Sequence, residues 1–186
     1  MLEIAGSAGE ATAAQNLGRY TASLDGAELP ADVTDIAKRA LLDFIACALE
    51  ARPLPWARQA AAVARTSGGQ APIIGTPYRV APLEAAFANA TAGHGLIRED
   101  MHPGSCSHLG VVVWPTLLAL LGEKPVRGAD LLAAAVAGYN VGARIGATLF
   151  DAELAGRFRP TGVTGPIGAA CAGARLLGLD ADCITA

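Results

Sequence analysis

Apolar residues recur at three- and four-residue steps over residues 31–50: Val33, Ile36, Ala37, Ala40, Leu41, Phe44, Ile45 and Ala48. With about 3.6 residues per turn, that spacing lays one apolar stripe along an amphipathic helix. Pro30 suits the start of such a helix, and Arg52-Pro53-Leu54-Pro55 breaks it. The same reading predicts helices over about residues 11–24 and 56–66, the first closing near Asp25-Gly26. Ser67-Gly68-Gly69 is a loop, and residues 71–80, with Ile73-Ile74-Gly75 between prolines, predict a short strand or an extended connector. Another helix begins at Pro82, carries Leu83, Ala86, Phe87, Ala90 and His94 roughly on one side, and stops at the glycines flanking His94.

Downstream of a polar loop, residues 111–121 are almost wholly apolar, with Pro115 among them. Residues 129–149 predict a long alanine- and glycine-rich helix. Its Gly138, Gly142 and Gly146 recur every fourth residue, which leaves one smooth face for close helix approach. Residues 151–158 predict a short helical turn. Residues 159–166 read as a polar lead-in to a small-residue helix over 167–177, closed by Gly178. Asp180-Ala181-Asp182 has the pattern of an N-cap and first turn. The predicted fold class is all-α: a helical bundle over residues 11–186, preceded by a flexible N-terminus at 1–10. A last helix that opens and is not continued suggests part of a larger unit.

The composition raises the question of membranes, because 52% of the 186 residues are hydrophobic and only 17% are charged. The apolar run at 111–121 is too short to span a bilayer, and that at 131–150 is interrupted by Asn140 and Arg144. No membrane association is expected. Close-packed helices that bury surface against another copy or a second chain fit the composition better. A net charge of −3 with no basic stripe points away from nucleic acid. The first residues show no basic segment followed by an apolar run, so no secretory leader is read there. Four scattered cysteines without a CxxC pair fit reduced thiols in a cytoplasmic protein.

All three histidines fall within fifteen residues: His94-Gly95-Leu96-Ile97-Arg98-Glu99-Asp100-Met101-His102-Pro103-Gly104-Ser105-Cys106-Ser107-His108. Histidine titrates nearest neutrality, so a positioned imidazole can give or take a proton at working pH. An adjacent carboxylate can orient it, and Glu99, Asp100 and His102 are close enough in sequence to form such a set. His108 can reach the same place across Pro103-Gly104. Ser105 and Ser107 offer hydroxyls to a substrate carboxylate, and Arg98 offers charge-assisted hydrogen bonds. Two other readings weigh less. Cys106 sits in the loop as a candidate thiolate, and His94, Asp100, His102 and His108 are metal-ligand types, though without HExxH spacing. A second polar spot, Arg157-Phe158-Arg159-Pro160-Thr161-Gly162, precedes a helix start and can hold a carboxylate.

The run from Arg98 to Ser105, followed by Ser107-His108-Leu109-Gly110 and a valine-rich segment, resembles the MmgE/PrpD family. So do Arg159-Pro160-Thr161-Gly162 with Gly165-Pro166-Ile167-Gly168, and Lys38-Arg39-Ala40-Leu41-Leu42-Asp43 near the start. The resemblance runs from about Leu29 to the end. That family includes 2-methylcitrate dehydratase, cis-aconitate decarboxylase and iminodisuccinate epimerase. It implies a large helical domain, a smaller α+β domain later in the chain, usually a homodimer, and no metal or organic cofactor in most members. By resemblance Asp100, His102 and His108 fall on the active-site loop. His108 or His102 is then the acid/base and Asp100 its partner, with Ser107, Arg159, Thr161 and Arg98 binding substrate.

This sequence departs from the family pattern in places. Ile97 and Met101 stand where decarboxylases and dehydratases tend to carry an acid and a threonine or valine. Arg159-Pro160-Thr161 replaces a His-Pro-Thr motif, and an arginine that stays protonated favours carboxylate binding over proton transfer there. The resemblance implies a lyase or isomerase acting on a small di- or tricarboxylate. The alternative is a non-catalytic helical subunit or fragment that needs a second chain to complete its pocket.

Overall fold

The computed structural model describes residues 11–122 and 125–186; the expectation for residues 1–10 falls outside them. Among the described residues the fold is all-α. Helices α1 (Ala13–Ser23), α2 (Ala31–Glu50) and α3 (Pro55–Ala64) lead to strands β1 (Ala71–Pro72) and β2 (Arg79–Val80), which pair antiparallel. Helix α4 (Pro82–Gly93), a 3-10 turn (Pro103–Ser105) and α5 (Gly110–Leu120) follow. Then come α6 (Gly128–Leu149), α7 (Ala152–Arg157), α8 (Pro160–Leu177) and α9 (Ala181–Thr185).

Local chemistry sets most of these ends. The Thr12 hydroxyl accepts from Gln15 N while the Gln15 side chain accepts from Thr12 N, so α1 starts in a capping box. The Asp151 and Asp180 carboxylates cap α7 and α9. Gly178 closes α8 in the left-handed conformation. One expectation is corrected here. Residues 160–166 are not a lead-in loop but the first turns of α8, with Pro160 at the helix start and Pro166 inside it. Pro160 has no N–H to leave unsatisfied at a helix start, so it opens the helix seven residues early. Arg159 becomes the N-cap residue and Thr161 is buried in the first turn.

Helix α5 is central. Its Val111, Val113, Trp114 and Leu117 pack with Phe44 of α2, Ala134 and Ala135 of α6, and Ala172 and Leu176 of α8. Helices α6 and α8 run antiparallel at close range. A Cβ on Gly138 would stand 2.7 Å from the Gly168 carbonyl oxygen and 2.8 Å from Ala172 Cβ. The smooth face anticipated at Gly138 and Gly142 is thus used to bring two backbones together. A second cluster, built from Ala60, Ala64, Ile73, Val80, Ala85 and Ala88, joins α3, the hairpin and α4. The buried Asn89 ties hairpin to helix, accepting from Ile74 N and donating to Pro72 O, both at 2.9 Å.

The large residues of α4 turn outward. Leu83 is 77% and Phe87 56% exposed, whereas Ala85, Ala88, Asn89 and Ala92 face the core. Small side chains let α4 lie close to α3 and α5, which leaves no room for a leucine or phenylalanine on that side. Among the described residues no helix is long and apolar enough to cross a membrane.

Candidate active site

Helix ends converge on the histidine loop. His94 is the C-cap residue of α4, His108 lies two residues before α5, and Arg159 is the N-cap residue of α8. Between them Glu99 is 5% exposed. His94 Nδ1 hydrogen-bonds Glu99 Oε1, and His108 Nδ1 lies 3.1 Å from the same oxygen. The two rings meet edge to face with centroids 5.2 Å apart. One carboxylate therefore serves two imidazoles. The arrangement is only partly satisfied, since the approach of His108 Nδ1 makes no aligned hydrogen bond and the buried Glu99 Oε2 has no partner.

The fourth member fixes a tautomer. Arg159 Nη2 lies 2.7 Å from His94 Nε2. A guanidinium only donates, so Nε2 accepts, and His94 carries its hydrogen on Nδ1, pointed at Glu99. Burial opposes ionisation of Glu99. The hydrogen bonds from His94 and its own backbone N–H, with the electrostatic influence of His94 and His108, outweigh burial and hold its pKa below the usual glutamate range.

Asp100 faces elsewhere. Its Oδ1 accepts from Gly110 N at 3.1 Å, at the first turn of α5, and its Oδ2 accepts from the Tyr139 hydroxyl. Trp114 Nε1 donates to the Tyr139 oxygen at 3.0 Å, and Asp100 N donates to Asp43 Oδ2 at 2.9 Å. Asp100 thus pins the loop to α2, α5 and α6. Burial raises its pKa; the hydrogen bonds from Tyr139 and Gly110 oppose this, while the charges of Asp43 and Glu99 add to it. Burial and the Asp100 charge push the Tyr139 hydroxyl upward too.

Several other anticipated residues are held within the protein. His102 is exposed, and its Nδ1 accepts from Ser105 N at 3.2 Å, capping the 3-10 turn. Its backbone pairs with Ser107 across the turn. Ser107 is fully buried and donates to Ser105 O at 2.9 Å, so its hydroxyl is spent on the loop. Thr161 Oγ1 accepts from His108 N at 2.9 Å and holds that residue in place. Arg98 points to Glu50 at 2.6 Å, with both side chains more than half exposed. Exposed Cys106 donates its thiol to Pro103 O at 3.5 Å.

Two residues of the loop, Ile97 and Cys106, sit at φ of 52° and 50°. For a β-branched isoleucine that region costs on the order of 1–3 kcal/mol. The turn at Ile97 directs Glu99 inward while leaving Arg98 outside.

The donor atoms of His94, Glu99 and His108 all lie within 4.8 Å of one another, a spacing a metal ion can use. The Arg159 contact argues against it. A neutral imidazole has one lone pair, which His94 gives to the guanidinium, so its Nδ1 carries a hydrogen and cannot ligate. Asp100 and His102, the other ligand types singled out from sequence, stand outside this cluster.

The MmgE/PrpD N-terminal domain pattern matches residues 15–186. The chain belongs to the MmgE/PrpD family. It is 33% identical over 183 residues to the cis-aconitate decarboxylase-like protein oryM of Aspergillus oryzae, a match covering 93% of this chain and 38% of that protein. It is 30% identical over 172 residues to cis-aconitate decarboxylase of Aspergillus terreus, covering 88% of this chain and 35% of the relative. The human cis-aconitate decarboxylase is 37% identical over 111 residues, covering 54% of this chain and 22% of that protein. The chain thus spans under two-fifths of the length of these relatives. In this MmgE/PrpD chain the family resemblance drew attention to Asp100, His102 and His108. His94 and Glu99, at the centre of the constellation, entered the sequence reading only as a metal-ligand type and as one of the loop's acids, and were not among the residues placed at the site by resemblance. The available signal was a histidine between two glycines at a helix end, five residues before a glutamate.

Proposed function

We propose that this chain is part of a lyase or isomerase that moves a proton on a small di- or tricarboxylate. The observation that carries the reading is Glu99, buried and ionised between two imidazoles, with the Arg159 guanidinium at the rim. Arg159 pairs with a substrate carboxylate. His108 takes the proton from the adjacent carbon, and Glu99 stabilises the imidazolium that forms. In dehydration or epimerisation the carbon–hydrogen electron pair delocalises toward the neighbouring carboxyl group, and loss of hydroxide as water or return of the proton to the carbon completes the reaction. In decarboxylation the pair of the broken carbon–carboxylate bond stays on the substrate as CO2 leaves, and an imidazolium delivers a proton to carbon instead of removing one. Asp100, His102, Ser107 and Thr161 shape the loop, and Arg98 lies at its exposed edge. The names of the relatives point to cis-aconitate as one substrate to try.

The test uses the protein at its natural length in deuterated water, with cis-aconitate, citrate, 2-methylcitrate and an amino-dicarboxylate offered singly. Proton NMR should show deuterium entering, or product forming from, one of them, and His108→Ala should abolish it. No exchange and no turnover with any of the four would count against the assignment.

A second reading rests on the coverage of 38% and 35% of the first two relatives. In it, these residues form a helical unit whose pocket is completed by another segment, by a second chain or by a second copy. Activity that appears only when the remaining family domains are supplied supports this reading.

A further inference from the structure

Arg159 is asked to do two things at once. It is exposed, which suits a carboxylate anchor, and it also occupies the one free lone pair of His94. A carboxylate is a charged acceptor that matches the guanidinium fork through two parallel hydrogen bonds, whereas an imidazole nitrogen is a neutral acceptor that takes one. A substrate carboxylate at this position therefore competes with His94 on favourable terms. Resting on the carboxylate reading above, we propose that Arg159 is a lock on a second acid/base residue, and that ligand binding opens it. When the guanidinium turns to the ligand, His94 Nε2 is left with a bare lone pair beside the bound acid. His94 Nδ1–H stays on Glu99, so the tautomer needed for proton acceptance at Nε2 is already set.

The result is a pair of imidazoles sharing one carboxylate, with ring centroids 5.2 Å apart. That suits a reaction in which one group removes a proton and another returns one. The charged and titratable neighbours within the constellation are Glu99, His108 and Arg159 itself. Withdrawing the guanidinium from His94 leaves Glu99 as its remaining hydrogen-bond partner. In this structure His94 is withheld as a base until an acid of the right shape arrives.

The arrangement has a rival. Arg159 carries five N–H donors, and its Nη2 alone has two, so a ligand can bind the outer edge while His94 keeps its contact. Nitrogen NMR of the histidine rings separates the two. The probe is tricarballylate, a saturated tricarboxylate, added to the natural-length protein with labelled histidine. Without ligand, the His94 Nε2 resonance should report a hydrogen-bonded acceptor and Nδ1 a protonated nitrogen. Tricarballylate should shift Nε2 away from that position, and Arg159→Gln should place it there with no ligand present. The glutamine variant should also bind tricarballylate about tenfold to a hundredfold more weakly, as expected for losing a charged hydrogen-bonding partner. His102, whose ring partner is within its own turn, reports whether the variant keeps its loop. If tricarballylate shifts His108 but leaves His94 Nε2 unmoved, the lock is wrong and the carboxylate reading stands. If Arg159→Gln leaves Nε2 where it is in the wild type, the lock is also wrong. If tricarballylate binds nowhere near these rings, both readings fall.

Discussion

Replacing Tyr139 by phenylalanine removes one oxygen on which the buried Trp114 and the half-buried Asp100 both depend. The hydroxyl donates to Asp100 Oδ2 and accepts from Trp114 Nε1 at 3.0 Å. Trp114 is fully buried, so its indole N–H has no solvent to turn to. Losing a hydrogen bond to a charged acceptor costs about 1.5–3 kcal/mol, and stranding a buried donor about 1–3 kcal/mol. Allowing for overlap between the two, the variant should be destabilised by about 3–5 kcal/mol. For a domain of this size each kcal/mol moves Tm by roughly 2–4 °C, so the midpoint should fall by about 6–20 °C. The deficit should also depend on pH. Asp100 has a folded-state pKa raised above its ordinary value. Its favourable contribution is fully present below the unfolded pKa and is lost as pH rises through the folded value. Without the Tyr139 donor the ionised form is worse still, so the deficit should be larger at neutral pH than in mild acid. Thermal and urea unfolding followed by circular dichroism, at matched pH values, measure both effects. A loss under about 1 kcal/mol that is flat with pH would falsify the tether.

Other consequences of the same geometry can be checked alongside. Glu99→Gln should lower kcat by about a hundredfold or more with little change in KM, because the amide cannot stabilise an imidazolium. The wild-type carboxylate has a depressed pKa, so its stabilisation is present above the unfolded glutamate value and lost as pH falls through the folded one; this acid-limb loss should be absent from the glutamine variant's unfolding curves. His102→Ala should cost about 1 kcal/mol by uncapping the 3-10 turn, yet reduce kcat far less than His108→Ala; equal losses would return His102 to the chemistry. Gly138→Ala should destabilise by about 1–3 kcal/mol, since the clash is with the Gly168 carbonyl on a facing backbone rather than with a flexible side chain. An unchanged melting curve would mean that α6 and α8 are not so closely apposed.

Periodicity along the chain carried most of the secondary structure. The stripe from Val33 to Ala48, the break between α2 and α3 around Pro53, and the fourth-residue glycines of α6 are local signals that survive into the fold. The start of α8 was misjudged because proline and glycine read as loop in isolation, while a proline at a helix start is tolerated. The orientation of α4 was equally hidden. Leu83 and Phe87 form an apolar stripe, but the alanine face is the one that fits between neighbours.

Sequence alone determined that an acid and an imidazole would meet on one polar loop, since both lie within fifteen residues between two helices. It did not decide which ones. Asp100 and Glu99 are adjacent and chemically alike, and successive residues in extended or turning backbone point in different directions. The left-handed turn at Ile97, the N-terminus of α5 and the distant Tyr139 send Asp100 inward as an anchor and leave Glu99 to the histidines. Arg159, sixty-five residues after His94, joins them only because close packing of α8 on α6 brings its first turn to that spot. Contacts across such separations come from packing between helices, and no local spacing encodes them.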